Sequence, residues 1–148
     1  KEWFKQIESQ LEFGFDIYYF CLMAGLASVN KKYDPPTVTD LTDNFPGTYK
    51  NSGRLIIGLF LSTELIRMDV DYTDKRVVKG LLFNYIDSNS PIHLNDKGLK
   101  ELNAYSHGGF ERLQEKFPEQ PRKLETFLRL YTPIIKQLKL EHLGNTAS

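Results

Sequence analysis

Three histidines, one cysteine and a set of closely spaced carboxylates are the side chains of this sequence whose types suit chemistry. His107 and Glu111 stand four apart, and His93 and Asp96 three apart, both spacings at which a helix can aim two ligands at one metal ion. Neither pair has a third ligand close in sequence, and His142 has only Glu141 beside it. Asp69-Val70-Asp71, with Glu64 and Asp74 nearby, is the densest acidic cluster. It could hold a hard cation, but it lacks the central glycine of a calcium loop, and a solvated helix end is the plainer reading. Ser106 and His107 are adjacent, so on a helix they point about 100° apart and cannot act as nucleophile and base. Cys21 lies in an apolar run and reads as a buried thiol. No Gly-x-Ser-x-Gly, phosphate-cradling loop or dinucleotide fingerprint is present. The expectation is a protein that is not an enzyme and carries no cofactor.

Basic residues give a second kind of candidate. Lys75, Arg76 and Lys79 fall within about a turn of one another. Arg122, Lys123 and Arg129, followed by Lys136 and Lys139, mark the last helix against Glu125 and Glu141. Asp40, Asp43, Glu64, Asp69 and Asp71 lie elsewhere, so the surface could be dipolar, with a basic face able to meet phosphates. The formal net charge is zero, which argues against wholesale polyanion binding and for solvated faces with cations near helix ends.

These residues must be positioned by helices. Apolar residues are 41% and charged residues 26%, a composition for a folded domain rather than a disordered chain. Trp3, Phe4, Ile7 and Leu11 recur at helical spacing. Gly14 breaks that helix, and Asp16 can cap a second, Ile17–Val29, apolar on nearly all sides and presenting Cys21, Ala24, Gly25 and Ser28 as a stripe of small residues. The apolar run from Phe13 to Val29 is interrupted by Asp16 and falls short of the ~20 residues a membrane span requires. Residues 30–52, with Pro35-Pro36 and Pro46-Gly47, read as one long irregular loop, functional or packed by Tyr33, Leu41, Phe45 and Tyr49. Arg54–Met68 reads as a buried helix, although "LIIGLFL" could be a strand. Ser52 can cap its start. Thr73 caps the next helix, with Val77, Val78, Leu81, Leu82, Tyr85 and Ile86 toward one face. Asn95 or Asp96 opens the fifth, and Pro121 suits the first turn of the last. There Pro133 either kinks the helix or follows a Thr132 cap, and the tail after Leu143 frays. The reading is an all-α, compact single-domain bundle of five or six helices over residues 1–148.

"LNAYSHGGFERLQEKF", Leu102 to Phe117, carries a glycine pair inside a helical pattern, at a cost of about 1 kcal/mol for each glycine relative to alanine. Leu102, Gly109, Leu113 and Phe117 fall near one stripe, so Gly108-Gly109 is expected to be a notch for the small-residue face of the second helix. His107 is then a surface or packing residue. Gly108, Gly109, Phe110 and Leu113, with "CLMAGLAS" at 21–28, resemble small helical proteins encoded beside bacterial Dnd-type DNA phosphorothioation and restriction systems. The resemblance implies a non-enzymatic accessory or interaction subunit of a DNA modification or anti-phage defence system. Its partners would be other protein subunits, and its location the cytoplasm, away from membranes. The alternatives are a helical DNA-binding module using the basic residues above and a small metal-dependent enzyme built on the acidic cluster. Self-association is open to a chain so rich in aromatic rings.

Overall fold

The computed structural model describes residues 2–12, 14–33 and 44–147. The fold is all-α. A 3-10 turn, Glu2–Phe4, leads into α1 (Lys5–Glu8), followed by α2 (Phe15–Ser28), a second 3-10 helix (Gly47–Ser52), α3 (Gly53–Arg67), α4 (Lys75–Tyr85), α5 (Asp96–Lys116) and α6 (Leu124–Ala147). Among the described residues there is no strand, only an antiparallel bridge between Ile86 and Leu94. No helix among them is long and apolar enough to cross a membrane. The "LIIGLFL" segment is helical. By compactness the chain divides into two units: Lys1–Asp40 with Ala104–Ser148, and Leu41–Asn103.

In the first unit α2 and α5 meet backbone to backbone. A methyl group on Gly109 would overlap the Cys21 carbonyl oxygen, and one on Gly25 would overlap the Tyr105 carbonyl oxygen. One on Gly108 would overlap the Asn30 carbonyl oxygen. The absent side chains therefore set the helix separation, and the intrinsic helix cost of the glycines is offset by the packing they permit. The exit from α2 fits the same crossing. Val29 takes a left-handed φ of 50°. Its N–H reaches the Leu26 carbonyl, while Asn30 N–H reaches the Gly25 carbonyl at 3.0 Å, the paired bonds of a Schellman cap. Asn30 then donates its side-chain amide to the Gly108 carbonyl at 2.9 Å, and Lys32 N–H bonds the Ala104 carbonyl at 2.9 Å.

Around this crossing the first unit fills with rings. Phe4, Phe110, Phe117 and Phe127 are buried and Trp3, Phe20 and Tyr131 pack against them. Phe117 stacks on Phe127 at 5.1 Å, and Phe20 meets Tyr131 edge-on at 5.0 Å. The Tyr131 hydroxyl donates to the Phe20 carbonyl at 2.8 Å, which pins α6 to α2 with a polar contact inside an apolar layer. α6 passes through Pro133 unbroken, so no second helix begins at a Thr132 cap. The helix runs on to Ala147, through most of the tail expected to fray.

Several expected caps move. α2 begins at Phe15 with Gly14 before it, and Asp16 lies inside its first turn rather than capping it. Ser52 makes no cap bond, because the 3-10 helix feeds α3 directly and occupies its first amides. Asp74, not Thr73, caps α4 by accepting from Val77 N–H. Asn95 caps α5, accepting from Gly98 N–H at 2.8 Å. Pro121 precedes α6, whose Leu124 N–H is taken by the Gln10 side chain at 3.1 Å. The loop expected over 30–52 ends in the 3-10 helix from Gly47. Pro35-Pro36, Asp40, Leu41 and Asp43 lie outside the described residues, as does Phe13.

Gly109→Ala should destabilise the protein by roughly 1–3 kcal/mol, the usual cost of forcing volume into a filled contact. Gly58→Ala, in α3 with open space around its Cα, should stabilise it by about 0.5–1 kcal/mol through helix propensity. Urea denaturation of both variants measures the contrast; equal midpoints would show that the crossing tolerates a side chain.

Candidate functional site

The carboxylates expected at one acidic cluster have separate duties. Asp69, at φ 54°, is the left-handed residue that ends α3, where Val70 N–H bonds the Leu65 carbonyl at 3.0 Å. Asp71 accepts from Thr73 N–H at 2.9 Å, and that bond holds its carboxyl below the ordinary carboxylate range. Asp74 caps α4. Glu64 leaves the cluster altogether. It is fully buried, taking bonds from Arg67 Nε at 3.2 Å and Nη2 at 3.3 Å and from the Tyr85 hydroxyl at 3.1 Å. Among the described residues no group of three or more histidine, cysteine, aspartate or glutamate side chains could hold a metal ion.

The Glu64 arrangement ties α3 to α4 in the second unit. Its charge is buried, so each donor counts for more than it would at the surface. The Tyr85 phenol is pushed up to about 12, first by burial and then by the negative charge of Glu64. Phe60 lies against the Tyr85 ring at 5.7 Å and Leu81 is buried one turn away. Of the stripe expected on α4, only Leu81 and Tyr85 are buried and Leu82 is exposed.

The opposite face of α4 holds the candidate site. Arg76, Lys79, Phe83 and Ile86 recur at helical spacing and, with Leu82, line an open groove of about 690 Å³. Phe83 is 90% exposed, which is unusual for a phenylalanine inside a helix. Lys75, Arg76 and Lys79 are exposed and form no ion pair among the described residues. α3 adds a second apolar stripe to this unit's surface, with Leu55 at 67%, Leu59 at 42% and Ile66 at 56% exposure. Both stripes are visible in the sequence only as apolar residues that do not fit the buried face of their helix.

The other basic candidates belong to the first unit. Arg122 and Lys123 precede α6 and Arg129 lies on its exposed side. Arg122 stands 4.0 Å from Glu119, an exposed pair of little energetic weight. Thus Lys75, Arg76 and Lys79 lie on the second unit and Arg122, Lys123 and Arg129 on the first. Glu141 pairs with Lys116 at 2.6 Å, a hydrogen bond that lowers its pKa.

The Ser106-His107-Gly108-Gly109 segment is structural. Ser106 and His107 are buried. Ser106 donates to the Tyr18 carbonyl at 3.5 Å, and His107 donates from Nδ1 to the Lys32 carbonyl at 3.2 Å. Glu111, four residues on, receives the Lys32 ammonium at 2.9 Å and is held below its ordinary pKa by that bond. The His107–Glu111 pair therefore clasps one lysine residue between backbone and side chain. Cys21 is fully buried, and burial pushes its thiol up, away from the reactive thiolate. His142 Nε2 is buried without a hydrogen-bond partner among the described residues. No known protein family, curated protein or solved structure matches the chain.

The raised Tyr85 pKa makes a stability prediction. The folded phenol keeps its proton to about 12, against an ordinary value of 10. The contribution is therefore complete below pH ~10 and is lost as pH rises through ~12. Tyr85→Phe should lose about 1–3 kcal/mol near neutrality, leaving one donor missing at Glu64, and should flatten the alkaline limb. Parallel urea titrations from pH 7 to 12 compare the two; matching alkaline limbs would remove Tyr85 from this role.

Proposed function

We propose that this chain is a non-enzymatic accessory subunit that docks on another protein through the outer face of α4. The observation that supports this reading is Phe83, 90% exposed in the last turn of α4 and flanked by Leu82, Ile86, Arg76 and Lys79. An apolar ridge costs free energy when left in water, so a partner that covers it gains from burial. Two unpaired cations at its edge favour a partner segment that combines apolar and acidic side chains. Aromatic and arginine side chains are the types that most often dominate interface energies. The resemblance of the Gly108-Gly109-Phe110 segment supports reading the partner as a subunit of a bacterial DNA modification or anti-phage defence system in the cytoplasm.

A second reading uses the same helix differently. Lys75, Arg76 and Lys79 beside an exposed ring also suit a nucleic-acid strand, with cations on phosphates and Phe83 stacked on a base.

A photo-crosslinking side chain placed at Phe83 should join a defence-system subunit through an acidic, apolar segment. Phe83→Ser and Lys79→Glu should each weaken that complex at least tenfold with the melting temperature unchanged. Unaltered affinity in both variants would overturn the docking reading. A mobility shift at low salt that disappears when Lys75, Arg76 and Lys79 are reversed in charge would favour the DNA-binding module, and no retention would sink it.

A further inference from the structure

The segment "NFPGTYKNSGR", Asn44 to Arg54, forms one wall of a cavity that is separate from the α4 groove. Gly47 takes a φ of 51° to turn the chain into the 3-10 helix, which runs without a break into α3. Lys50 and Arg54 consequently fall four residues apart on continuous helical backbone, the spacing that brings side chains together. Gly53 lies between them. A Cβ there would sit 3.0 Å from the ring of Phe45, so the missing side chain makes room for that ring, which is buried beneath the helix start.

The facing wall is the turn between α4 and α5. It is closed by the Ile86–Leu94 bridge and by Asp87 N–H bonding the His93 carbonyl at 3.0 Å. His93 is held at a left-handed φ of 62°, a backbone state that histidine adopts more readily than most residues other than glycine. Between the walls is a cavity of about 390 Å³, lined by Asn44, Lys50, Asn51, Arg54 and His93 with Phe45. No carboxylate lines it, and neither Lys50 nor Arg54 has an ion-pair partner among the described residues. A point-charge ammonium, a forked guanidinium, two amides and an imidazole converge on one space.

We propose that this cavity binds a phosphate group. The guanidinium fork matches two phosphate oxygens, the ammonium neutralises a third, and the amide N–H groups of Asn44 and Asn51 can donate to those remaining. The volume falls in the range of small-molecule sites and leaves space for an organic group beyond the phosphate. A phosphomonoester offers these residues three terminal oxygens and a nucleic-acid backbone two, and either can engage the guanidinium fork. The site uses no residue of the α4 docking face, so it stands whether or not that face binds a partner.

Amide-resolved NMR titration tests this with three probes: inorganic phosphate, adenosine monophosphate and a single-stranded oligonucleotide without terminal phosphates. Saturable shifts confined to residues 44–54 and 91–93 are expected. Lys50→Gln combined with Arg54→Gln should weaken binding at least tenfold while leaving the melting temperature unchanged. Both replaced side chains are exposed. Tightest binding of the monophosphate would assign a small phosphomonoester, and tightest binding of the oligonucleotide a nucleic-acid backbone. No saturable shift with any probe, or binding that survives the double substitution, would overturn the proposal.

Discussion

The first unit depends on one contact: two helix backbones that touch where side chains are missing. Gly25 on α2 faces the Tyr105 carbonyl, and Gly108 and Gly109 on α5 face the Asn30 and Cys21 carbonyls. Dispersion energy falls steeply with separation, so helices at this distance gain contacts that a single pair of methyl groups would forfeit. The consequences run outward. Cys21 is sealed beneath the crossing, Ser106 and His107 are drawn into the interior, and the chain leaving α2 is bonded to α5 through Asn30 and Lys32. Residues that could have made a nucleophile, a metal pair or a redox thiol are instead consumed by packing.

The second unit uses polar chemistry for the same purpose. A buried glutamate accepts from Arg67 and Tyr85, and those bonds fix α3 against α4. Only the glutamate of this pair is buried, with Arg67 reaching it from the exposed side, and a buried carboxylate penalises alternatives that leave its charge unpaired. Holding the inner face of α4 in this way determines what its outer face presents, namely Phe83 between two cations and the side chains of Leu82 and Ile86. Function is thus read where this unit leaves good binding groups uncovered, and structure where both units cover reactive ones.

The helices and the glycine notch were legible because they are periodic. Gly109 falls on the stripe of Leu102, Leu113 and Phe117, and Cys21 and Gly25 fall on one face of α2. What periodicity cannot carry is partner identity. Glu64 sits five residues before Asp69 and looked like part of an acidic surface, yet its neighbours in space are Arg67 and Tyr85. Thr73 and Asp74 are both competent caps, and the chain selects Asp74 while using Asp71 to hold the turn before it. The division into two units was not legible either, because α5 supplies Asp96–Asn103 to one and Ala104–Lys116 to the other without any break in its helical pattern. The pairing of Lys50 with Arg54 is hidden for a related reason: a stretch rich in proline and turn residues reads as an irregular loop and masks the helical backbone between them.

Native-state hydrogen exchange tests the primacy of the glycine crossing most directly, since the last amides to exchange report the most stable part of a fold. The amides of Cys21–Ser28 and Tyr105–Leu113 should exchange slowest and as one cooperative set, with those of Lys75–Tyr85 opening earlier. Faster exchange at the crossing than in α4 would contradict the account.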